Sequence, residues 1–187
     1  GVENYVDVPD GVWFNGNFTV EFKAFLRRYT TYATFLDFGN GASADNVLVA
    51  LDQVNPGNLK LWTYIGAGAS SLGAHTPVPL NQWVHLAATV QGSTATLYQD
   101  GVIVARGPVN TPAAVVRTNT FLGRPNWPQD TYADALMDDV RIWGTARTSE
   151  QIRQFMNQPV NASDPDLVLN YRFDESSGTT VLDSRAV

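Results

Sequence analysis

Short runs in which apolar and polar residues alternate make up most of the chain, and Gly, Asn, Asp and Pro interrupt them. Alternation with a period of two is the pattern of half-buried β-strands, and residues 18–25 show it most clearly. The pattern predicts about eleven strands. They cover residues 5–8, 18–25, 33–38, 47–51, 59–65, 83–90, 94–98, 102–105, 120–122, 137–143 and 167–173.

The breaks between these runs carry turn-forming residues. Asp100-Gly101 joins the runs 94–98 and 102–105, and this pair predicts a two-residue hairpin because glycine tolerates positive φ. A parallel sheet would need a helix after nearly every strand, and the sequence has no such alternation. The pattern therefore predicts two packed antiparallel sheets.

Residues 147–156 depart from the strand pattern. Apolar residues recur there at helical spacing from Ile152 onwards. Thr148, with Gln151 three positions later, forms a capping-box motif at the start of the segment. The predicted fold class is thus all-β: a two-sheet antiparallel β-sandwich with one short helix near the C-terminus.

Composition narrows the functions that this fold could have. Twelve Lys and Arg against eighteen Asp and Glu give 12 − 18 = −6, and an acidic chain without a basic cluster is not expected to bind nucleic acid. The absence of Cys excludes thiolate chemistry, and two His are too few for a multi-histidine zinc site. No apolar run approaches the roughly 20 residues of a membrane helix, so membrane insertion is not expected. Because the chain begins without Met or a signal peptide, we expect a processed product or a piece of a longer protein.

Five sequence blocks that occur in order resemble a known family. They are NFTVE at 17–21, NQWVHLA at 81–87, LYQDG at 97–101, FLG at 121–123 and LMDDVRIW at 136–143. With the capped helix, they make residues 1–158 similar to the laminin-G-like, concanavalin A-like jelly-roll domains. The resemblance implies two curved antiparallel sheets, a concave face that often binds glycans, and frequently a calcium ion. Most members of that family are binding modules, and some relatives are hydrolases.

The ends of the chain leave its domain organisation open. Gly1 resembles the last residue of a Phe-Asp-Gly motif with which family members often begin. Residues 1–158 form the predicted sandwich, and residues 159–187 form a linker and a C-terminal segment. That segment either folds back as an edge strand or leads to a neighbouring module in a tandem array. We expect the fold-back, because an unpaired apolar strand promotes aggregation.

Catalytic motifs are missing from the sequence. Glycoside hydrolysis needs two carboxylates flanking one bond, and hydrolases of this fold carry them as Glu-x-Asp-x-x-Glu, which does not occur here. Asp138 and Asp139 are consecutive, so in a strand they would point to opposite faces. His85 lies within the run 83–90 and is expected to be a structural histidine, whereas His75 is expected to be solvated in a loop rich in Gly, Ala and Ser. We therefore predict that the protein is not an enzyme.

Calcium is the cofactor that the family resemblance implies. In related jelly rolls, the acid before a Val-Arg-Ile run binds a structural calcium together with backbone carbonyls from other segments. The matching positions here are Asp138 and Gly39. Oxygen ligands of this kind suit a hard cation. The alternative is that Asp138 caps a turn or pairs with Arg141.

Exposed aromatic residues are the candidates for sugar binding, since a flat ring fits the apolar C–H face of a pyranose. Trp62 and Tyr64 alternate with apolar or small neighbours and therefore share one face of a strand. Trp127 and Tyr132 lie in a polar stretch that begins with Arg124, typical of an exposed loop. With a net charge of −6, neutral sugars are expected to bind better than acidic polysaccharides.

Other tryptophans are expected to be structural. Trp83 and Trp143 match recurrent framework positions of the family and are predicted to lie in the core. Trp13 is expected to cover one end of the sandwich.

These observations predict a non-catalytic binding module that is extracellular or at the cell surface. Its expected partner is a glycan or a cell-surface protein, as in cell adhesion, and neighbouring domains are expected in a longer chain. The alternative is a structural or accessory domain of a larger adhesin or of a polysaccharide-degrading enzyme. A glycoside hydrolase is the least favoured hypothesis.

Overall fold

The structure, a computed structural model, describes residues 4–185, so the expectation for Gly1 lies outside the described residues. It contains twelve strands and one helix within that range. In chain order they are β1 (Val6–Asp7), β2 (Phe18–Leu26), β3 (Thr34–Gly39), β4 (Val47–Leu51), β5 (Asn58–Ile65), β6 (Gly68–Pro77), β7 (Trp83–Gln91), β8 (Thr94–Gln99), β9 (Val102–Pro108), β10 (Asn119–Leu122), β11 (Ala135–Trp143), α1 (Ser149–Phe155) and β12 (Leu167–Tyr171).

The strands form two six-stranded sheets in which all neighbours are antiparallel, so the predicted β-sandwich is confirmed. Sheet I has the order β1-β10-β3-β4-β5-β6, and sheet II has the order β12-β11-β2-β7-β8-β9. The C-terminal strand β12 pairs with β11 and forms one edge of sheet II.

The core lies between the two sheets and follows the predicted alternation. Phe18, Val20, Phe22 and Ala24 of β2 are buried in it, and the residues between them face outward. Burying a side chain such as Val or Phe stabilises the fold by roughly 1.5–3 kcal/mol. The period of two therefore decides which side chains remain available on the outer faces of the sheets.

The predicted hairpin turn and the predicted helix-capping motif are both confirmed. Asp100 and Gly101 both have positive φ, at 48° and 71°, as the tight turn between β8 and β9 requires. Thr148 and Gln151 form the reciprocal capping box at the N-terminus of α1. Ile152 of α1 packs on the outer face of sheet II.

Strand β6 is missing from the sequence prediction. Its residues are mostly small and exposed, so they show no apolar alternation. The strand exists because its backbone pairs with β5 at the edge of sheet I, where few apolar side chains are needed. His75 is exposed, as expected, but it belongs to this strand and not to a loop.

The two predicted core tryptophans both lie on the outer face of sheet II, and only one of them is buried. Trp143 is 1% exposed, so its predicted burial is confirmed, although Arg147, and not the opposite sheet, covers it, whereas Trp83 is 48% exposed. Because Val84 faces the core, the alternation turns Trp83 outward. Its ring contacts only the edge of Phe25 among the described aromatic pairs, at 5.9 Å between ring centroids.

Candidate functional site

A row of paired residues crosses the outer face of sheet I. Phe121 of β10 opposes Asp37 of β3, Asp37 opposes Leu48 of β4, and Leu48 opposes Trp62 of β5. Directly opposed residues point to the same side of a sheet. Tyr64 lies two positions after Trp62 and therefore extends from the same face.

The loop between β10 and β11, residues 123–134, crosses this face. It brings the ring of Trp127 to 5.6 Å from the ring of Tyr64, measured between centroids. Asn126 anchors the loop next to that contact. Its backbone N–H donates to Asp37 Oδ2 at 2.7 Å, and its side-chain amide donates to the backbone carbonyl of Asn119 at 3.1 Å.

Asp37 is the buried acceptor that holds the loop. It is fully buried, and Asn46 donates a second hydrogen bond to its Oδ1 at 2.8 Å. Burial raises the pKa of Asp37 to about 6, although the bonds from Asn46 and Asn126 act to lower it. The described partners of this carboxylate are thus amides, which satisfy its oxygens without neutralising its charge.

Gly39 makes room for this arrangement. A Cβ atom at position 39 would overlap the side-chain amide of Asn46, which bonds to Asp37. The glycine therefore has a packing role beneath the outer face of sheet I.

Trp62, Tyr64 and Trp127 line one cleft of about 320 Å³. The buried Leu48 also lines it, and further polar side chains surround it: Tyr32, Gln53, Gln129 and Asp130. The three aromatic rings named first are half-buried, so each has both a packed and an open side.

Polar contacts fix the walls of this cleft. The hydroxyl of Tyr32 donates to Gln53 Oε1 at 2.5 Å, and the ring of Tyr32 lies 6.1 Å from that of Trp62. Lys60 Nζ lies 4.9 Å from the centroid of the Trp62 ring and 3.1 Å from Asp52 Oδ1. The ammonium group is thus held by a carboxylate outside the cleft.

The pKa values of three acidic groups that line the cleft are raised. Burial raises the pKa of Asp130. Burial also raises the pKa of Tyr32, and the nearby Asp130 and Asp52 raise it further. Burial and the neighbouring Asp37 act in the same direction on the pKa of Tyr64. The hydroxyl groups of Tyr32 and Tyr64 therefore stay neutral and can both donate and accept hydrogen bonds in the cleft.

Two predicted sugar-binding residues lie outside this cleft. The guanidinium of Arg124 stacks on Phe121 and Tyr5, at 4.3 Å and 4.8 Å from the ring centroids. Tyr132 lines a second cleft, of about 370 Å³, which also includes Asp130. The structure thus brings together three of the five predicted residues.

Sequence patterns missed the polar residues of the first cleft. Tyr32 and Gln53 lie in turns that flank β3 and β4, and Asp130 lies in the loop 123–134. No local period connects such positions, because only the strand pairing of sheet I brings them together. The polar and aromatic composition of the loop 123–134 is the one sequence feature that could have indicated these residues.

The residues proposed for calcium lie apart. Asp138 pairs with Lys23 across sheet II, whereas Gly39 pairs with Asn119 in sheet I. Asp138 Oδ1 accepts the backbone N–H of Asp139 at 2.8 Å, as the turn-capping alternative requires. Within residues 4–185, no three His, Asp or Glu side chains form a group that could hold a metal ion. Asp138 and Gly39 therefore do not form one set of ligands, and calcium binding stays a prediction that melting curves with calcium or chelator can test.

The outer face of sheet II holds a closed charged cluster. Trp143 donates to Glu21 Oε1 at 2.8 Å, His85 Nε2 lies 3.3 Å from Glu21 Oε2, and Arg141 lies 3.9 Å from Oε1. Burial acts to raise the pKa of Glu21, but His85, Arg141 and Trp143 together lower it. His85 is therefore a buried strand histidine, as predicted, in contact with a carboxylate.

Within residues 4–185, the single helix α1 has seven residues and is too short to span a membrane.

The family model of the concanavalin A-like lectin/glucanases superfamily, Laminin_G_3, matches residues 1–153. No curated protein matches the chain.

Three solved structures illustrate the similarity of fold. A candidate carbohydrate binding protein from Bacteroides ovatus is 21% identical, with a TM-score of 0.74 over 96% of this chain and 52% of its own. Domain 4 of AbnA, a GH43 extracellular arabinanase from Geobacillus stearothermophilus solved with arabinotriose, is 26% identical, with a TM-score of 0.61 over 81% of this chain and 71% of its own. An SAP-like pentraxin from Limulus polyphemus is 13% identical, with a TM-score of 0.57 over 84% of this chain and 75% of its own. The chain spans about half the length of the Bacteroides ovatus protein.

Proposed function

Because the chain belongs to the concanavalin A-like lectin/glucanases superfamily, we propose that it is a carbohydrate-binding module. Its ligand lies in the cleft formed by Trp62, Tyr64 and Trp127. The convergence of these three half-buried rings with amide and carboxylate groups is the observation that carries the proposal. Small-molecule sites combine apolar walls with a few placed polar groups in this way.

The chemistry of the cleft suits a neutral sugar. Aromatic rings offer apolar area to the C–H face of a pyranose or furanose, while Gln53, Gln129 and Asp130 can hydrogen-bond its hydroxyls. The ammonium of Lys60 is paired with Asp52, so it is not free to attract an acidic polysaccharide. The net charge of −6 acts in the same direction.

Binding without catalysis is part of the proposal. Glycoside hydrolysis uses two carboxylates about 5–9.5 Å apart, on either side of the scissile bond. Among the described residues that line the cleft, Asp130 is the only acid. Asp37 is fully buried and its oxygens accept bonds from Asn46 and Asn126, so it is not accessible to a substrate.

Two of the similar structures support the same function. The Bacteroides ovatus protein is described as a candidate carbohydrate binding protein, and the arabinanase domain was solved in complex with arabinotriose. The second relative also supports the accessory-domain alternative, in which the module assists an extracellular polysaccharide-degrading enzyme. We propose an extracellular location as part of this function. The cleft gives no support to the hypothesis of a cell-adhesion partner.

A glycan array followed by calorimetry tests the proposal. We expect neutral glycans to bind, with each of Trp62→Ala and Trp127→Ala lowering the affinity by about tenfold or more, since each removes one aromatic wall. Added salt is expected to change the affinity little, because the cleft does not rely on charge. The matched control is Trp83→Ala, which removes an exposed tryptophan from the other sheet and should leave binding unchanged. Binding that survives both cleft substitutions in folded protein would contradict the proposed site.

A further inference from the structure

We propose that the second cleft, lined by Tyr132, continues the first, so that the module binds an internal stretch of a linear neutral oligosaccharide and not a single terminal sugar. This inference rests on the proposed carbohydrate-binding function. It explains why Tyr132 lies outside the first cleft and yet beside it.

Asp130 joins the two clefts. It lines the first together with Trp62, Tyr64 and Trp127, and it lines the second together with Tyr132. The two volumes, about 320 Å³ and about 370 Å³, are each at the lower end of the roughly 300–1,000 Å³ typical of small-molecule sites. A ligand that occupies both would pass the carboxylate of Asp130, which can accept hydrogen bonds from hydroxyls on either side.

The chemistry of the second cleft suits the same class of ligand as the first. The half-buried ring of Tyr132 supplies an aromatic wall, and the exposed guanidinium of Arg28 supplies donors. Arg28 Nε lies 2.7 Å from Asp134 Oδ2, and Arg27 Nη1 lies 3.3 Å from Asp134 Oδ1, so the two guanidinium groups share one carboxylate. The planar guanidinium of Arg28 offers several N–H donors to sugar hydroxyls, and Asp130 places a second carboxylate in the same cleft.

Backbone contacts hold the second cleft in shape. The N–H of Thr34 donates to the carbonyl of Thr131 at 3.1 Å, and the hydroxyl of Thr131 donates to the carbonyl of Thr31 at 2.6 Å. The N–H of Arg27 donates to the carbonyl of Asp134 at 2.9 Å. A cleft formed in advance spares the ligand the cost of ordering the loop, so additional sugar units should add affinity.

A size series separates this inference from the proposed function. The probes are arabino-, xylo-, cello- and malto-oligosaccharides, each from one to about six units, measured by calorimetry on the full chain. We expect at least one series to bind, with affinity rising about tenfold or more between two and four units. Trp62→Ala should weaken binding at every length, whereas Tyr132→Ala should weaken only the longer oligosaccharides, to the level of the shorter ones.

Controls keep the result interpretable. Melting curves show whether Tyr132→Ala is folded, and Arg28→Ala is a second variant with the same expected selectivity for length, since the Arg28 side chain is 68% exposed and its loss should not affect folding. Trp83→Ala should match the wild type at all lengths. Affinity that does not depend on length, or folded Tyr132 and Arg28 variants that bind the longest oligosaccharide like the wild type, would contradict this inference alone. Failure of the wild type to bind any series would contradict the proposed function as well.

Discussion

Two tryptophans, one on the outer face of each sheet, lie in opposite environments. On sheet I, Trp62 lies half-buried in an open cleft. On sheet II, Trp143 is covered by the guanidinium of Arg147, 3.8 Å from its ring centroid, and by the segment that carries α1. The part of sheet I around Trp62 is therefore free to meet a ligand, while the part of sheet II around Trp143 is used to attach the C-terminal part of the chain.

The two faces also differ in the surroundings of their buried carboxyl groups. Asp37 of sheet I is held by amides, and burial raises its pKa to about 6. Glu21 of sheet II is surrounded by His85 and Arg141, which help to lower its pKa against the effect of burial. The comparison teaches that burial alone does not set the pKa of a carboxyl group, because the hydrogen bonds and charges of its partners also decide the direction.

Deletion of residues 166–187 is expected to have the largest effect, because it removes β12 from sheet II. Leu167, Leu169 and Tyr171 are buried there, and each contributes roughly 1.5–3 kcal/mol. A loss of this size is comparable with the whole stability of a small domain, about 5–15 kcal/mol. Chemical denaturation should show a largely unfolded protein. An unchanged melting temperature would mean that β12 does not stabilise the sandwich.

Replacing Trp143 and replacing Trp62 should have very different effects on folding stability. Trp143→Ala should cost about 3–5 kcal/mol, because it opens a cavity and leaves Glu21 without its indole donor. Trp62→Ala should cost about 1 kcal/mol, as is usual for a partly exposed site. Urea denaturation of both variants measures the difference. Equal losses would show that the two faces are equally important for folding.

The two buried acids should give opposite pH profiles. The lowered pKa of Glu21 means that the folded state binds its proton less tightly, so its contribution to stability is lost as pH falls below about 4.5. The raised pKa of Asp37 means the reverse: its contribution falls as pH rises from about 3.8 to about 6.

Unfolding free energies measured across this pH range, for the wild type, Glu21→Gln and Asp37→Asn, test both signs. The difference between wild type and variant should grow with rising pH for Glu21 and shrink for Asp37. Profiles that stay parallel to the wild type would contradict the assignment of these titrations.

The smallest expected effect concerns the anchor of the loop 123–134. Asn126→Ala removes the side-chain bonds to the carbonyls of Asn119 and Asp37 but keeps the backbone bond to Asp37 Oδ2. A hydrogen bond contributes about 0.5–1.5 kcal/mol, and the bond to the carbonyl of Asp37 is the longer and weaker of the two, so glycan affinity should fall by a few-fold as Trp127 becomes less firmly placed. Asn161→Ala, an exposed amide far along the chain from the loop, is the control. Equal affinities for the two variants would show that the anchor does not matter.

The sequence predicted those features that depend on neighbours in the chain. The alternation showed that Trp62 and Tyr64 share a face, and the turn and capping motifs were found because their partners lie within a few residues. The contact between Tyr64 and Trp127 depends on the pairing of strands far apart in sequence, and alternation says nothing about it. The same limit explains Trp83: its position turns it outward, and nothing local shows that no segment covers it.

Gly39 changes what a mutational map of this protein would look like. A side chain at this position would displace Asn46, and with it one of the two groups that hold Asp37 beneath the loop of Trp127. A screen scored only on sugar capture would thus mark Gly39 as a hit, although it does not line the cleft. Residues needed for binding therefore include some that never touch the ligand, and one of them lies in the backbone of β3 beneath the cleft.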